Sequence, residues 1–312
     1  MDKEKPMSKI AVLFSGQGAQ AVGMGKDLYE SNEGAKALYD MGDAIAPGTT
    51  KMCFEGPGDA LTQTENTQPC LFLTALAFAN ALKEAGIRAD AVAGFSLGEI
   101  PALAYAGILS TEDAFRLVLL RGSKMGELAK KYQGGMVAAM KLAPEVVEAA
   151  CAKFEEVWPV NYNCPGQISC AGKADSMDAF VEEIKAQGGR AVKLAVSGAF
   201  HTPYMKEASD TLAEALRGME VKAPQTTIYS NRTGEAYPSD IEEIIANISL
   251  QASSSVRFET TLRNLWAEGV DTFIEVGAGK TLTGFVKKTL PEAVTYTVTD
   301  CASLQEAIDA LA

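Results

Sequence analysis

A chain of 312 residues that is 47% hydrophobic and 22% charged can bury one large core, or a large one with a small one beside it, which excludes a disordered or fibrous protein. Its net charge of -12 argues against nucleic acid and anionic membrane as partners, since both need a basic face, but leaves anionic small molecules open because one arginine or helix N-terminus can hold them. Six cysteines without a C-x-x-C pair, beside a single histidine, supply neither a disulfide framework nor a usual zinc-ligand set, so no metal is expected.

The charged opening, Met1 to Pro6, leads straight into an apolar strand over 10–14 with no signal-peptide core. The longest apolar stretch, 71–81, is broken by Thr74 and Asn80 and is too short for a bilayer, so the expectation is a cytoplasmic protein. After the first strand comes Gly16-Gln17-Gly18-Ala19-Gln20-Ala21, which fits the looser glycine pattern of dinucleotide-binding turns. The acidic residue that should end a second strand is missing, because Asp40 and Asp43 fall in a helix-like, strand-free stretch. The other reading is that these glycines let the backbone approach an acyl carbonyl near Ser96.

A helix is expected over 67–85, then a strand over 91–95 that ends in Gly94-Phe95-Ser96-Leu97-Gly98 and runs into a helix-like Glu99-Ile100-Pro101-Ala102-Leu103-Ala104. Strand, sharp turn and helix with a serine at the turn describe a nucleophile elbow. Flanking glycines permit a strained backbone and close packing, and the helix N-terminus offers N–H groups to an oxyanion. The pentapeptide alone also fits a Gly-rich turn with a serine cap. Past a helix over 111–130, the texture changes to β-α-β-β-α-β: strands over 135–140, 158–163, 168–172 and 190–196, with helices over 144–154 and 176–187. This reads as a small ferredoxin-like α+β domain, residues 133–197, inserted into a large α/β domain made of 1–132 and 198–312.

Immediately after the insertion stands His201, in Gly198-Ala199-Phe200-His201-Thr202-Pro203. If an imidazole activates Ser96 it must be this one, and the insertion would put the pair at the cleft between domains. Helices over 204–216, 241–248, 259–268 and 303–312 alternate with strands over 227–229, 272–276 and 295–298. The whole is an α/β chain with a mainly parallel, helix-flanked sheet, an α/β-hydrolase-like core, and Ser96 at a strand's carboxyl end.

Four segments stand in order: Phe14-Ser15-Gly16-Gln17-Gly18-Ala19-Gln20, Gly94-Phe95-Ser96-Leu97-Gly98-Glu99, Gly198-Ala199-Phe200-His201 and Glu275-Val276-Gly277-Ala278-Gly279-Lys280. Together they resemble the malonyl-CoA:acyl carrier protein transacylases of fatty-acid synthesis and the acyltransferase domains of polyketide synthases, over about residues 10–288. The 161–167 loop is similar to that family as well. The resemblance implies ping-pong transfer of malonyl from malonyl-CoA to acyl carrier protein through Ser96, with His201 as base and then acid, and no cofactor beyond these substrates. It further implies an oxyanion hole from the backbone N–H groups of Gln17 and Leu97, and a Ser-His dyad oriented by carbonyls near Gln251 rather than by a carboxylate. Arg121 would pair with the malonyl carboxylate, Phe200 would exclude α-methylated units, and Asn163 and Gln167 would lie at the substrate. Read from the residues alone, Arg121 fits better as a solvated residue on an amphipathic helix.

Two positions depart from the commonest family pattern: Phe95 where histidine is usual, and Ser15 where proline is usual. An acidic enzyme meeting an acidic carrier needs a local basic rim, for which Lys193, Lys206, Lys280, Lys287 and Lys288 are candidates. A serine esterase or thioesterase, and a non-catalytic carrier- or CoA-binding module that kept the fold, remain open beside the transferase.

Overall fold

The strands, in chain order, are β1 (Lys9–Phe14), β2 (Ala91–Gly94), β3 (Gly134–Met140), β4 (Val157–Cys164), β5 (Gln167–Lys173), β6 (Arg190–Lys193), β7 (Thr227–Tyr229), β8 (Val270–Val276) and β9 (Val294–Val298). They belong to a computed structural model that describes residues 8–196 and 198–312. The charged opening and Ser197, the last residue assigned to the insertion, lie outside the described residues.

Five strands form one wholly parallel sheet in the order β7-β2-β1-β8-β9. Parallel strands covered by helices on both faces must be apolar throughout, which is why Ala11 to Phe14 and Ala91 to Gly94 are buried without alternation. In register, Phe14 faces Gly94 on one side and Val276 on the other. The loops after β1, β2 and β8 therefore emerge side by side at the carboxyl edge, where open α/β sheets build their sites. Helix Thr64–Glu84 packs across this sheet with Leu71 to Ala79 buried along its whole circumference. It starts three residues before the expected position because its first turn, Thr64-Glu65-Asn66, is polar.

The stretch between β1 and that helix holds four helices, Lys26–Ser31, Glu33–Ile45, Thr49–Glu55 and Gly58–Leu61; only the second was expected, as the helix-like stretch around Asp40 and Asp43. Glycines interrupt the apolar pattern there. At Gly42 the glycine is a packing requirement, since an added Cβ would stand 2.8 Å from Leu73 Cδ1. Helix Thr281–Thr289 was also missed.

The second sheet is wholly antiparallel in the order β4-β5-β3-β6, the ferredoxin-like arrangement. Helices Pro144–Cys151 and Met177–Ala186 cover one face through Val147, Phe180 and Ile184 on Val137, Ile168 and Cys170. The helix expected to reach 154 stops at Cys151, and the strand expected to reach 196 stops at Lys193. Segment 255–257 then joins the two sheets: Val256 N–H donates to Val160 O at 2.7 Å, Tyr162 N–H donates to Val256 O at 2.9 Å, and the Arg257 guanidinium lies 4.3 Å from the Tyr162 ring centre. Among the described residues no helix is long and apolar enough to cross a membrane, no group of residues could hold a metal, and all six cysteines are free thiols.

Candidate active site

The elbow is as tight as the two glycines allow. A Cβ at Gly94 would lie 1.9 Å from the Gly98 carbonyl carbon, and one at Gly98 would lie 2.1 Å from Phe14 O. Between them Ser96 takes the left-handed region at φ 54°, a conformation that costs a non-glycine residue about 1–3 kcal/mol and persists only where neighbours hold it. Asn231, in the loop after β7, does so: it accepts the Ser96 N–H at 2.6 Å and donates to Gly94 O at 2.6 Å. Gly16 brings the loop after β1 against the elbow, where a Cβ would meet Phe95 O at 2.6 Å. The N–H groups of Gln17 and Leu97 donate to no acceptor among the described residues; Gln17 lines the cleft with Ser96, and Leu97 follows Ser96 in the chain. No helix begins at this glycine turn; the first starts only at Lys26, so the dinucleotide reading loses the helix N-terminus it needs.

His201, also left-handed at φ 63°, brings Nε2 to 2.7 Å from Ser96 Oγ. Its Nδ1 faces two carbonyls, Gln251 O at 3.0 Å and Ser254 O at 3.1 Å. Carbonyls only accept, so Nδ1 carries the proton and Nε2 presents its lone pair to the serine hydroxyl. No carboxylate touches the ring among the described residues. Gln251, expected to orient the histidine, meets it through its backbone carbonyl and leaves its side chain for other contacts.

Those contacts surround Arg121, which is 1% exposed and so is no solvated helix residue. Nη1 donates to Gln68 Oε1 at 2.8 Å, while Nη2 donates to Gln251 Oε1 at 2.8 Å and to Ser96 Oγ at 3.2 Å. Its Nε is buried without a partner among the described residues. Burial lowers its pKa to about 10, which keeps the guanidinium charged at neutral pH.

Burial, and after it the Arg121 charge, push the His201 pKa down to about 4. The neutral imidazole is the form that accepts a proton, so protonation removes the base only as pH falls through that value. The rate of Ser96 acylation is expected to stay level down to about pH 5 and to drop near 4, provided circular dichroism shows the protein folded. An inflection near 6.5, the ordinary histidine value, would contradict the buried dyad.

A cleft of about 270 Å³ opens over Ser96 between the two sheets, lined by Gln17, Phe95, Asn163, Gln167, Phe200 and His201 among others. Asn163 Nδ2 donates to Ser169 Oγ at 3.3 Å and its Oδ1 is unpartnered among the described residues, as is that of neighbouring Asn161. Phe95 turns its ring onto Phe258 and Phe285, with centroids 5.3 and 5.8 Å apart, filling an apolar wall of the cleft. Of the rim lysines, Lys193 and Lys206 are tied to Asp178 and Asp210, whereas Lys280, Lys287 and Lys288 are exposed and form no ion pair among the described residues. Asn231, Gln68 and Glu99 are the site residues that sequence reasoning missed.

An elbow serine on a lone histidine, with a buried arginine beside it and no carboxylate on the ring among the described residues, departs from the standard hydrolase triad. The sequence also matches the profile of the acyl transferase domain over residues 12–307. The chain belongs to this family. Its relatives include the malonyl CoA-acyl carrier protein transacylase of Bacillus subtilis, 41% identical over 313 residues and 98% of each chain. A malonyl CoA-acyl carrier protein transacylase from Clostridium perfringens superposes with a TM-score of 0.93 at 37% identity over 97% of both chains. A malonyl-transacylase solved in complex with its type II polyketide acyl-carrier protein superposes equally well, at 0.93 and 32% identity, over 97% of this chain and 100% of that one. Family membership thus covers both sheets.

Proposed function

We propose that this protein moves a malonyl group from malonyl-CoA to the phosphopantetheine thiol of acyl carrier protein through a malonyl ester on Ser96, in fatty-acid biosynthesis. The observation that carries the reading is the environment of one atom: Ser96 Oγ has His201 Nε2 at 2.7 Å and the buried Arg121 Nη2 at 3.2 Å. A base and a fixed cation at one nucleophile suit an acyl group with a free carboxylate. The names of the relatives point the same way.

In the first half-reaction His201 Nε2 takes the Ser96 hydroxyl proton as Oγ attacks the thioester carbonyl. The N–H groups of Gln17 and Leu97 receive the oxyanion, each worth roughly 3 kcal/mol in comparable chemistry. Collapse breaks the C–S bond, and His201 returns its proton to the departing CoA sulfur. In the second half-reaction the carrier thiol gives its proton to His201, its sulfur attacks the ester, and Ser96 leaves with that proton. Arg121 holds the malonyl carboxylate throughout, Phe200 fills the space beside the α-carbon, and Asn163 and Gln167 present polar groups along the cleft. Gln251 keeps the imidazole turned toward Ser96. The scheme needs no cofactor.

The reading also treats 1–132 with 198–312 as one catalytic unit and 133–197 as an inserted one, and it puts the enzyme in the cytoplasm. Release of CoA from malonyl-CoA tests it. Without carrier protein, release is expected to stop after about one equivalent per enzyme and to resume when phosphopantetheinylated carrier is added. Steady release into water would instead make the protein a thioesterase.

A further inference from the structure

Glu99 opens the helix Glu99–Tyr105 directly after the elbow. It is 1% exposed and lies outside the lining of the cleft. Every hydrogen-bonding group around its carboxyl is a donor: the Tyr237 hydroxyl at 2.5 Å and the Asn231 N–H at 3.3 Å to Oε1, and Gln251 Nε2 at 2.8 Å to Oε2. Burial pushes its pKa up to about 7, and these donors work against that rise by favouring the carboxylate. An apolar residue would fill the same space without that conflict, so the position asks what the acceptor does for its neighbours.

The answer lies in the amide of Gln251. Its Nε2 carries two protons, which meet Ser96 O at 2.6 Å, Glu99 Oε2 at 2.8 Å and, at the longer distance of 3.4 Å, Asn231 Oδ1. With both donors used on that side, Oε1 is turned the other way and accepts from Arg121 Nη2 at 2.8 Å. The flipped amide would set an NH2 group against the guanidinium and a carbonyl against the Glu99 carboxylate, two repulsive contacts in place of two attractive ones.

We propose that Glu99 is a positioning residue for substrate selection: by fixing the Gln251 side-chain amide it holds the Arg121 guanidinium where an acyl group bearing a carboxylate meets it. The proposal rests on the reading of Arg121 as the partner of that carboxylate. It makes selectivity depend on a carboxylate that touches neither substrate nor the nucleophilic Ser96 Oγ.

The test is the ratio of malonyl to acetyl transfer, from the two CoA thioesters, in wild type, Glu99→Met and Glu99→Gln. Methionine fills the space but offers Gln251 Nε2 no oxygen, so the ratio is expected to fall roughly tenfold, the weight of about one charge-assisted hydrogen bond. Glutamine keeps a carbonyl oxygen toward Gln251, while its amino group turns to the Tyr237 hydroxyl, which can accept, and forfeits only the 3.3 Å contact with the Asn231 N–H, so more of the ratio is expected to be kept than in Glu99→Met. An unchanged ratio in Glu99→Met, with both activities and the thermal midpoint falling together, overturns the proposal and leaves Glu99 a packing residue. Should Glu99→Met not fold, Gln251→Met interrupts the same chain one step later; a similar fall in ratio supports the proposal and an unchanged ratio overturns it. Wild-type protein that transfers no malonyl overturns the reading of Arg121 and the proposal with it, an outcome recognised before any variant is examined.

Discussion

His201→Asn is expected to lower malonyl transfer by roughly four orders of magnitude, since removing the base of a serine nucleophile typically costs that much or more. The loss has no route around it. His201 is the only histidine of the chain, Arg121 beside Ser96 Oγ is already protonated, and no carboxylate touches that oxygen among the described residues. Asparagine is the informative replacement because it tolerates the left-handed backbone, here φ 63°, far better than alanine, so strain does not imitate lost catalysis. Single-turnover release of CoA from malonyl-CoA reads the step in which the base acts. A variant that is folded and within tenfold of wild type would remove His201 from the mechanism.

Arg121→Ala is expected to lower the malonyl-to-acetyl transfer ratio by about ten- to a hundredfold, the equivalent of roughly 1.5–3 kcal/mol for a charge-assisted hydrogen bond. Truncation also strands Gln68 Oε1 and Gln251 Oε1, the acceptors that now take Nη1 and Nη2. Each orphaned acceptor costs about 1–3 kcal/mol, so overall stability should fall as well. The ratio separates the two effects, because a less stable enzyme loses both activities together while a lost carboxylate partner penalises malonyl alone. Arg121→Met, which refills the cavity, should keep the altered ratio and recover part of the stability. A ratio equal to wild type in both variants would return Arg121 to a structural role.

The elbow was legible in the sequence because its geometry leaves only glycine at two places: the chain contacts at Gly94 and Gly98 have no room for a Cβ. The small antiparallel sheet was legible from its succession of short strands and helices rather than from alternation, since Met136 to Ala139 and Ile168 to Gly172 are buried on both faces. His201 stood out because nothing else in the chain could serve as imidazole. What periodicity and motif could not reveal were contacts between distant elements. Glu99 looks like any acidic residue in a helix's first turn, yet its partners Tyr237 and Gln251 are 138 and 152 residues away. Asn231 reaches Ser96 from 135 residues away, out of a loop with no pattern of its own. The helices between residues 26 and 61 are interrupted by glycines of different kinds, among them Gly42, which lets Leu73 approach, and Gly48, which takes the left-handed region at φ 91° ahead of a helix; both needs exist only in three dimensions.

Mass spectrometry of the intact protein after brief exposure to malonyl-CoA tests the acyl-enzyme account most directly. A single malonyl group on the peptide that carries Ser96 is the predicted result, absent in Ser96→Ala and discharged by phosphopantetheinylated acyl carrier protein. An adduct that persists in Ser96→Ala, or that the carrier thiol does not remove, would contradict it.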